Sequence, residues 1–231
     1  MKMWKAAVAA ASVMCVTGAQ ANVTDPKPKE LTQAVQAFLA DHGDLCLALY
    51  TWPREVTAED RESNSNEAVQ MPVLERLGVV QSVELREPAA RATPIAAVDA
   101  QPSAPVSPQL APPAPTKRYS LTATGQQYFL RKTRITLDPH SQPEQHDADF
   151  CVAHLTLDKV VKWSPPAPVH NHMETVVEYT YHINAAPFMS DPEAQKVFPV
   201  VDRIVRGAGI LMMTATVQLR DGRWVPVLPG Q

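Results

Sequence analysis

An α+β fold is predicted for this chain by three features of its pattern. Before residue 78 apolar residues recur at helical spacing, and after residue 150 they alternate in long runs. Between these halves lies a proline-rich stretch without an aromatic residue. The predicted architecture is an N-terminal module of helices and one hairpin over residues 22–135, with an insertion at 88–116. An antiparallel sheet carrying one packed helix follows over 150–231.

The first helix is expected over 26–42. Asp25 is placed to cap it, Pro26 suits the first helical position, and Leu31, Ala34, Val35, Phe38 and Leu39 form one stripe ended by Gly43. Leu45–Tyr50 reads as a buried strand stopped by Trp52-Pro53, and the polar run from Thr57 to Asn66 as an exposed loop. Glu67–Leu77 is helical by pattern, with Pro72 beginning or interrupting a turn and Gly78 as its cap. Val79–Glu87 alternates as a strand. Residues 88–116 hold eight prolines and too little apolar surface to offset the entropy of ordering, so a flexible, disordered loop is expected there. Its flanks, Val79–Glu87 and Lys117–Thr122, are expected to pair as one hairpin; the alternative is a linker between domains.

Met71-Pro72-Val73-Leu74-Glu75-Arg76-Leu77-Gly78-Val79-Val80, followed by Tyr119-Ser120-Leu121-Thr122-Ala123-Thr124-Gly125, resembles the helix, β-wing and final helix of winged-helix domains. The resemblance covers about residues 67–132. It implies that the insertion lengthens a wing, that Thr122 or Thr124 caps a closing helix over Gly125–Lys132, and that the family's usual activity is DNA binding. The chain as a whole also resembles a family of exported proteobacterial proteins, a likeness that carries no activity with it.

In the last third, Phe150–Trp163 places Cys151, Ala153, Leu155, Leu157 and Val161 on one side, and Met173–Ile183 is the clearest strand. Ser190-Asp191-Pro192 starts a helix whose apolar face runs through Ala194, Val197, Phe198, Val201, Ile204 and Val205 to Gly207. Leu211–Leu219 and Arg223–Val227 form a hairpin about Asp221-Gly222.

Residues 1–21 read as a signal peptide. Lys2 and Lys5 precede an apolar run from Ala6 to Val16, and Ala19-Gln20-Ala21 offers the small-x-small pattern for cleavage after Ala21. A lipid anchor on Cys15 is the alternative, although Val13-Met14 matches a lipobox poorly. The apolar run falls short of the roughly 20 residues a membrane span needs, so a soluble periplasmic or secreted protein is expected. Loss of the two lysines takes the formal charge from −3 to −5, which gives no general attraction to nucleic acid or anionic lipid. Cys46 and Cys151 then remain, an even pair in an oxidising compartment; a disulfide is expected, with two buried thiols as the alternative.

Candidate sites follow from the polar residues. His172, Glu174, Glu178 and His182 share the polar face of one strand, and His154 joins them if the neighbouring strand pairs alongside. Such imidazoles and carboxylates suit Zn²⁺ or Cu²⁺, although no resident cofactor is otherwise expected; the plain alternative is a solvated sheet face. Lys117, Arg118, Arg131, Lys132 and Arg134 form a basic stretch with interleaved aromatic residues, a candidate surface for an anionic partner. No G-x-S-x-G, H-E-x-x-H or phosphate-binding loop is present. A non-catalytic binding or protein-interaction module of the cell envelope is therefore expected. Metal binding is the first alternative, and DNA binding the second should the export reading fail.

Overall fold

The computed structural model describes residues 25–85, 115–136 and 144–227, with the side chains of 134–136 excepted. The signal segment and residues 88–114 of the expected insertion lie outside these residues.

Helix α1 (Pro28–His42) begins two residues later than expected. Lys27, not Asp25, is its N-cap, and the Glu30 carboxylate accepts the Lys27 N–H at 3.2 Å. Leu31, Ala34, Val35 and Leu39 are buried on one face. At its end the Gly43 N–H donates to the Leu39 carbonyl, and the Gly43 carbonyl accepts from Leu155 N–H, both at 2.7 Å. A Cβ on Gly43 would stand 2.4 Å from Leu39 O and 2.5 Å from Leu155 O. Close backbone approach is what requires glycine here.

Strand β1 (Asp44–Cys46) is shorter than its apolar run, because Ala48 takes a φ of 59° and the chain turns away. After β2 (Arg54–Val56) comes a helix that the sequence reading assigned to a loop, α2 (Ala58–Glu62). Thr57 Oγ1 accepts the Asp60 N–H at 3.1 Å while the Asp60 carboxylate accepts the Thr57 N–H at 2.8 Å, a reciprocal cap. Helix α3 (Asn66–Arg76) follows, capped by Ser65, with Pro72 inside it. Strands β3 (Val80–Leu85) and β4 (Thr116–Leu121) pair antiparallel from Val80↔Leu121 to Leu85↔Thr116, and β2 lies on the other side of β4. A single turn, α4 (Ala123–Gln126), capped by Thr122, leads to β5 (Phe129–Leu130). A small ribbon joins β6 (Arg134–Thr136) to β7 (Glu144–His146).

The long strands are β8 (Asp149–Trp163) and β10 (His172–Ala185), with β9 (Ala167–Val169) between them in sequence. A 3-10 turn at Pro187–Ser190 precedes α5 (Pro192–Val197) and α6 (Pro199–Arg206). The expected single helix is split at Phe198 (φ −122°, ψ 58°), because Pro199 has no N–H to continue the ladder. Strands β11 (Met213–Arg220) and β12 (Arg223–Pro226) complete a seven-stranded antiparallel sheet, ordered β1-β8-β10-β11-β12, with β5 on β8 and β9 on β10.

This is not a winged helix followed by a separate sheet. The α1 stripe packs with Leu155, Val177, Tyr179, Tyr181, Val217 and Trp224 of the large sheet, not against α3. The expected closing helix over Gly125–Lys132 lasts one turn, and Phe129 and Leu130 pair with Phe150 and Asp149 instead. Met71, Leu74, Val80 and Tyr119 share one buried cluster with Phe150, Val152, Met189 and Phe198, so a single core crosses from the first half to the second. DNA binding is left without its recognition scaffold. The apolar parity of β8 also breaks. Register shifts against β10 pair Tyr179 with Val160 and Tyr181 with Leu157, which turns Val160 to the core and leaves Val161 44% exposed.

Two predictions follow from this packing. A Cβ on Gly125 would lie 1.9 Å from the Val79 carbonyl oxygen. Gly125→Ala should therefore cost on the order of 1–3 kcal/mol by chemical denaturation, as overpacking does. Arg76 bridges α3 to α5 through Asp191, with distances of 2.6 and 3.1 Å. That hydrogen bond, opposed by some desolvation and aided by the N–H groups of Glu193 and Ala194, holds the Asp191 carboxyl at about 2. A depressed carboxyl stabilises the fold above its unfolded value, and the contribution is lost as pH falls from about 4 through 2. Asp191→Asn, which keeps a capping oxygen, should be less stable than the parent at neutral pH. Denaturation curves of the two should converge near pH 2.

Candidate functional site

Cys46 and Cys151 are direct cross-strand partners of β1 and β8, joined by a disulfide with Cα atoms 3.8 Å apart. Beside them Asp149 is 4% exposed and its Oδ1 accepts the N–H groups of Leu49 and Phe150 at 2.9 and 2.7 Å. Cys46, Asp149 and Cys151 bring their ligand atoms within 4.8 Å of one another, so this group could hold a metal ion. Metal-binding sulfur is thiolate, and these two sulfurs are bonded to each other. The geometry offers a metal three ligands only after reduction.

The His/Glu face does not assemble a second centre among the described residues. His172 and His182 sit at opposite ends of β10, about 33 Å apart at the strand rise. His172 Nε2 pairs with Glu174 Oε1 at 2.7 Å, His182 with Asp158 at 3.4 Å, and Glu178 with Lys162 at 3.2 Å. His154 lies opposite Asn184 in register, and its Nδ1 is 2.7 Å from Asp44 Oδ1. Each residue thus has its own local partner.

The basic stretch is likewise divided. Lys117 and Arg118 lie on β4, where Arg118 places two nitrogens on Glu55 Oε1 at 2.9 and 2.6 Å. Arg131 is exposed just beyond β5, and Arg134 lies on β6 opposite His146. Lys132 donates to the Asp41 carbonyl and stands 3.6 Å from Asp44 Oδ2. The structure therefore draws one residue from each predicted set, His154 and Lys132, to Asp44, which the sequence reading did not single out. The histidine's partner lies 110 residues away in the chain, a separation that periodicity cannot bridge.

A surface that sequence reasoning missed lies at the end of α6. Gly207 and Gly209 shape a loop that is held to β10 from two sides. Gly209 N–H donates to the Tyr181 carbonyl at 2.9 Å, and Tyr181 Oη donates to the Ile204 carbonyl at 2.7 Å. Leu211 N–H closes the loop on the Gly207 carbonyl at 2.7 Å. With Leu211 turned to the core, its neighbours must face outward: Ile210 is 82% exposed and Met212 52%. Val200 on α6 is 68% exposed, three residues before exposed Arg203 on the same helix face. Arg203, Arg206, Ile210, Leu211 and Met212 line an open groove of 580 Å³. Arg206 pairs with Asp202, whereas Arg203 makes no ion pair among the described residues. A visible signal existed in the sequence: Ile210-Leu211-Met212-Met213 is a run of four apolar residues, and a strand edge can bury only every second one.

The bridge itself generates a prediction. It closes a loop of 105 residues, and replacing both cysteines with serine should cost on the order of 2–4 kcal/mol. Equilibrium unfolding of the oxidised parent and the double variant measures this directly. The oxidised parent should also resist alkylation at both positions and migrate faster than reduced protein on a denaturing gel.

Comparison of the chain with protein-family models, curated proteins and solved structures finds no match.

Proposed function

We propose that this chain is an exported, non-catalytic interaction module of the cell envelope that docks an apolar, carboxylate-bearing segment of a partner protein. The observation that carries the reading is the ledge formed by Ile210 and Met212 beside Arg203. Two large aliphatic side chains, Ile210 and Met212, stand exposed on backbone that is tied to the core, so the surface is presented in one shape. Exposed apolar patches rimmed by polar residues mark interaction sites. Methionine and arginine are enriched in interface cores, and an unpaired arginine beside aliphatic groups suits a partner that brings carboxylates. Export rests on the pattern of residues 1–21 and agrees with the disulfide. No helix among the described residues is long and apolar enough to cross a membrane. A zinc or copper role would require the reduced Cys46–Asp149–Cys151 group and is the weaker reading, because export favours the bridged form.

A photo-crosslinker at position 212 should capture a discrete envelope protein from cells. Capture should fall at least tenfold in Ile210→Asp and in Arg203→Glu, as expected for central hot-spot residues. Raising salt should weaken capture of the parent, and the Arg203→Glu variant should lose that salt dependence. Crosslinks only between copies of this chain, or to lipid alone, would overturn the reading, as would capture unaffected by either substitution.

A further inference from the structure

A second site stands apart from the ledge. Between β5, the first half of β8 and the end of β10 lies a cleft of 410 Å³, within the size range of small-molecule sites. Its polar walls come from Asp44, Gln127, Tyr128, His154 and Asn184. We propose that this cleft binds an uncharged polyhydroxy ligand, in size and chemistry a single sugar ring.

The argument starts at His154. Asp44 Oδ1 lies 2.7 Å from Nδ1, and the Asp44 side chain is only 12% exposed. The Asp44 carboxylate engages Nδ1, which leaves Nε2 as the ring nitrogen available to a ligand. The ring packs over Gly43, where a Cβ would come within 3.2 Å of Cε1, so its orientation is set before any ligand arrives. Nε2 has no hydrogen-bond partner among the described residues. The side chains of Asn184, Gln127 and Tyr128 also make no hydrogen bond there. Tyr128 is nonetheless held, edge-on to Phe188 at 5.1 Å and tilted against Phe150 at 6.0 Å. The cleft therefore offers an oriented imidazole nitrogen, two planar amides with paired donors and acceptors, and a phenol that does both.

Charge decides what fits. Lys132 stands 3.6 Å from Asp44 Oδ2, so an ammonium and a carboxylate face each other at the cleft edge. The other polar side chains of the cleft, Gln127, Tyr128 and Asn184, carry amide and phenol groups and no formal charge. A metal ion is no better served, since Asp44 and His154 gather no third ligand among the described residues. Neighbouring hydroxyls, each able both to donate and to accept, match these groups.

The test uses the oxidised full-length mature chain with glucose and N-acetylglucosamine as probes, and gluconate and phosphate as anionic comparators. Saturation-transfer NMR and amide shift titrations should show at least one neutral sugar binding with a Kd of roughly 1 mM, a value ordinary for a few hydrogen bonds. His154→Ala and Asn184→Ala should each weaken it about 3- to 10-fold, the loss of one hydrogen bond. His154→Gln, which keeps an acceptor, should recover part of that loss. Ile210→Asp should leave it unchanged, which separates this site from the ledge. Asn184 is exposed, so its variant keeps the test open should His154→Ala fail to fold. The proposal is overturned if neither sugar binds at about 10 mM, if gluconate or phosphate binds instead, or if both alanine variants bind as the parent does.

Discussion

The first half of β8 is buried on both faces, and the rest of the molecule is arranged around that burial. Phe150 and Val152 enter one apolar cluster, Leu155 enters the other, and every residue from Asp149 to Ala153 is buried. A strand enclosed on both sides must have all its backbone groups paired, and its partners come from distant parts of the chain. Leu47 N–H donates to the Phe150 carbonyl, Cys151 N–H to the Tyr128 carbonyl, Leu155 N–H to the Gly43 carbonyl, and Ala186 N–H to the Val152 carbonyl. The disulfide from Cys46 lies within the same few residues. Burial of large side chains such as Phe150 and Tyr181, each worth about 1.5–3 kcal/mol, is available only when all these segments converge.

The same constraint places the two candidate surfaces. Gly43 brings the end of α1 against β8, which sets Asp44 beside His154 and opens the cleft where Tyr128 and Asn184 meet them. On the opposite edge of β10, Tyr181 is buried between α6 and the sheet, and its hydroxyl and carbonyl both hold the α6–β11 connection. That connection is rigid because it is bonded to the core. Ile210 and Met212 flank Leu211, which packs against the core, and so they stand exposed.

Local signals read well wherever a residue's neighbours in sequence are also its neighbours in space. The long strands β8 and β10, the Asp221-Gly222 hairpin and the Leu31–Leu39 stripe were legible for that reason. The reciprocal cap of Thr57 and Asp60 was equally local and could have revealed α2. What misled was a pattern true in its parts: the helix, hairpin and capped turn around Gly78 and Thr122 are present, yet the winged-helix arrangement they suggested is not. The stripe of α1 can bury against any apolar surface of the right width, and the large sheet offers Val177, Tyr179 and Trp224. Similarly, the polar faces of β8 and β10 were read as a possible metal centre, but short-range ion pairs with Asp44, Glu174, Asp158 and Lys162 claim each member.

By itself the sequence determined the local periods, the expectations of export and of a Cys46–Cys151 bridge, and the strands that would lie antiparallel. Periodicity states which face of an element is apolar and leaves open what covers that face. Only the tertiary structure decided that α1 belongs to the large sheet, that β5 replaces a closing helix, and that Val160 rather than Val161 turns inward. It also decided that Asp44, His154 and Lys132 meet at one cleft. That last outcome depends on contacts between residues about 90–110 positions apart, and such contacts form only when the combined burial exceeds the entropy of closing the loops between them.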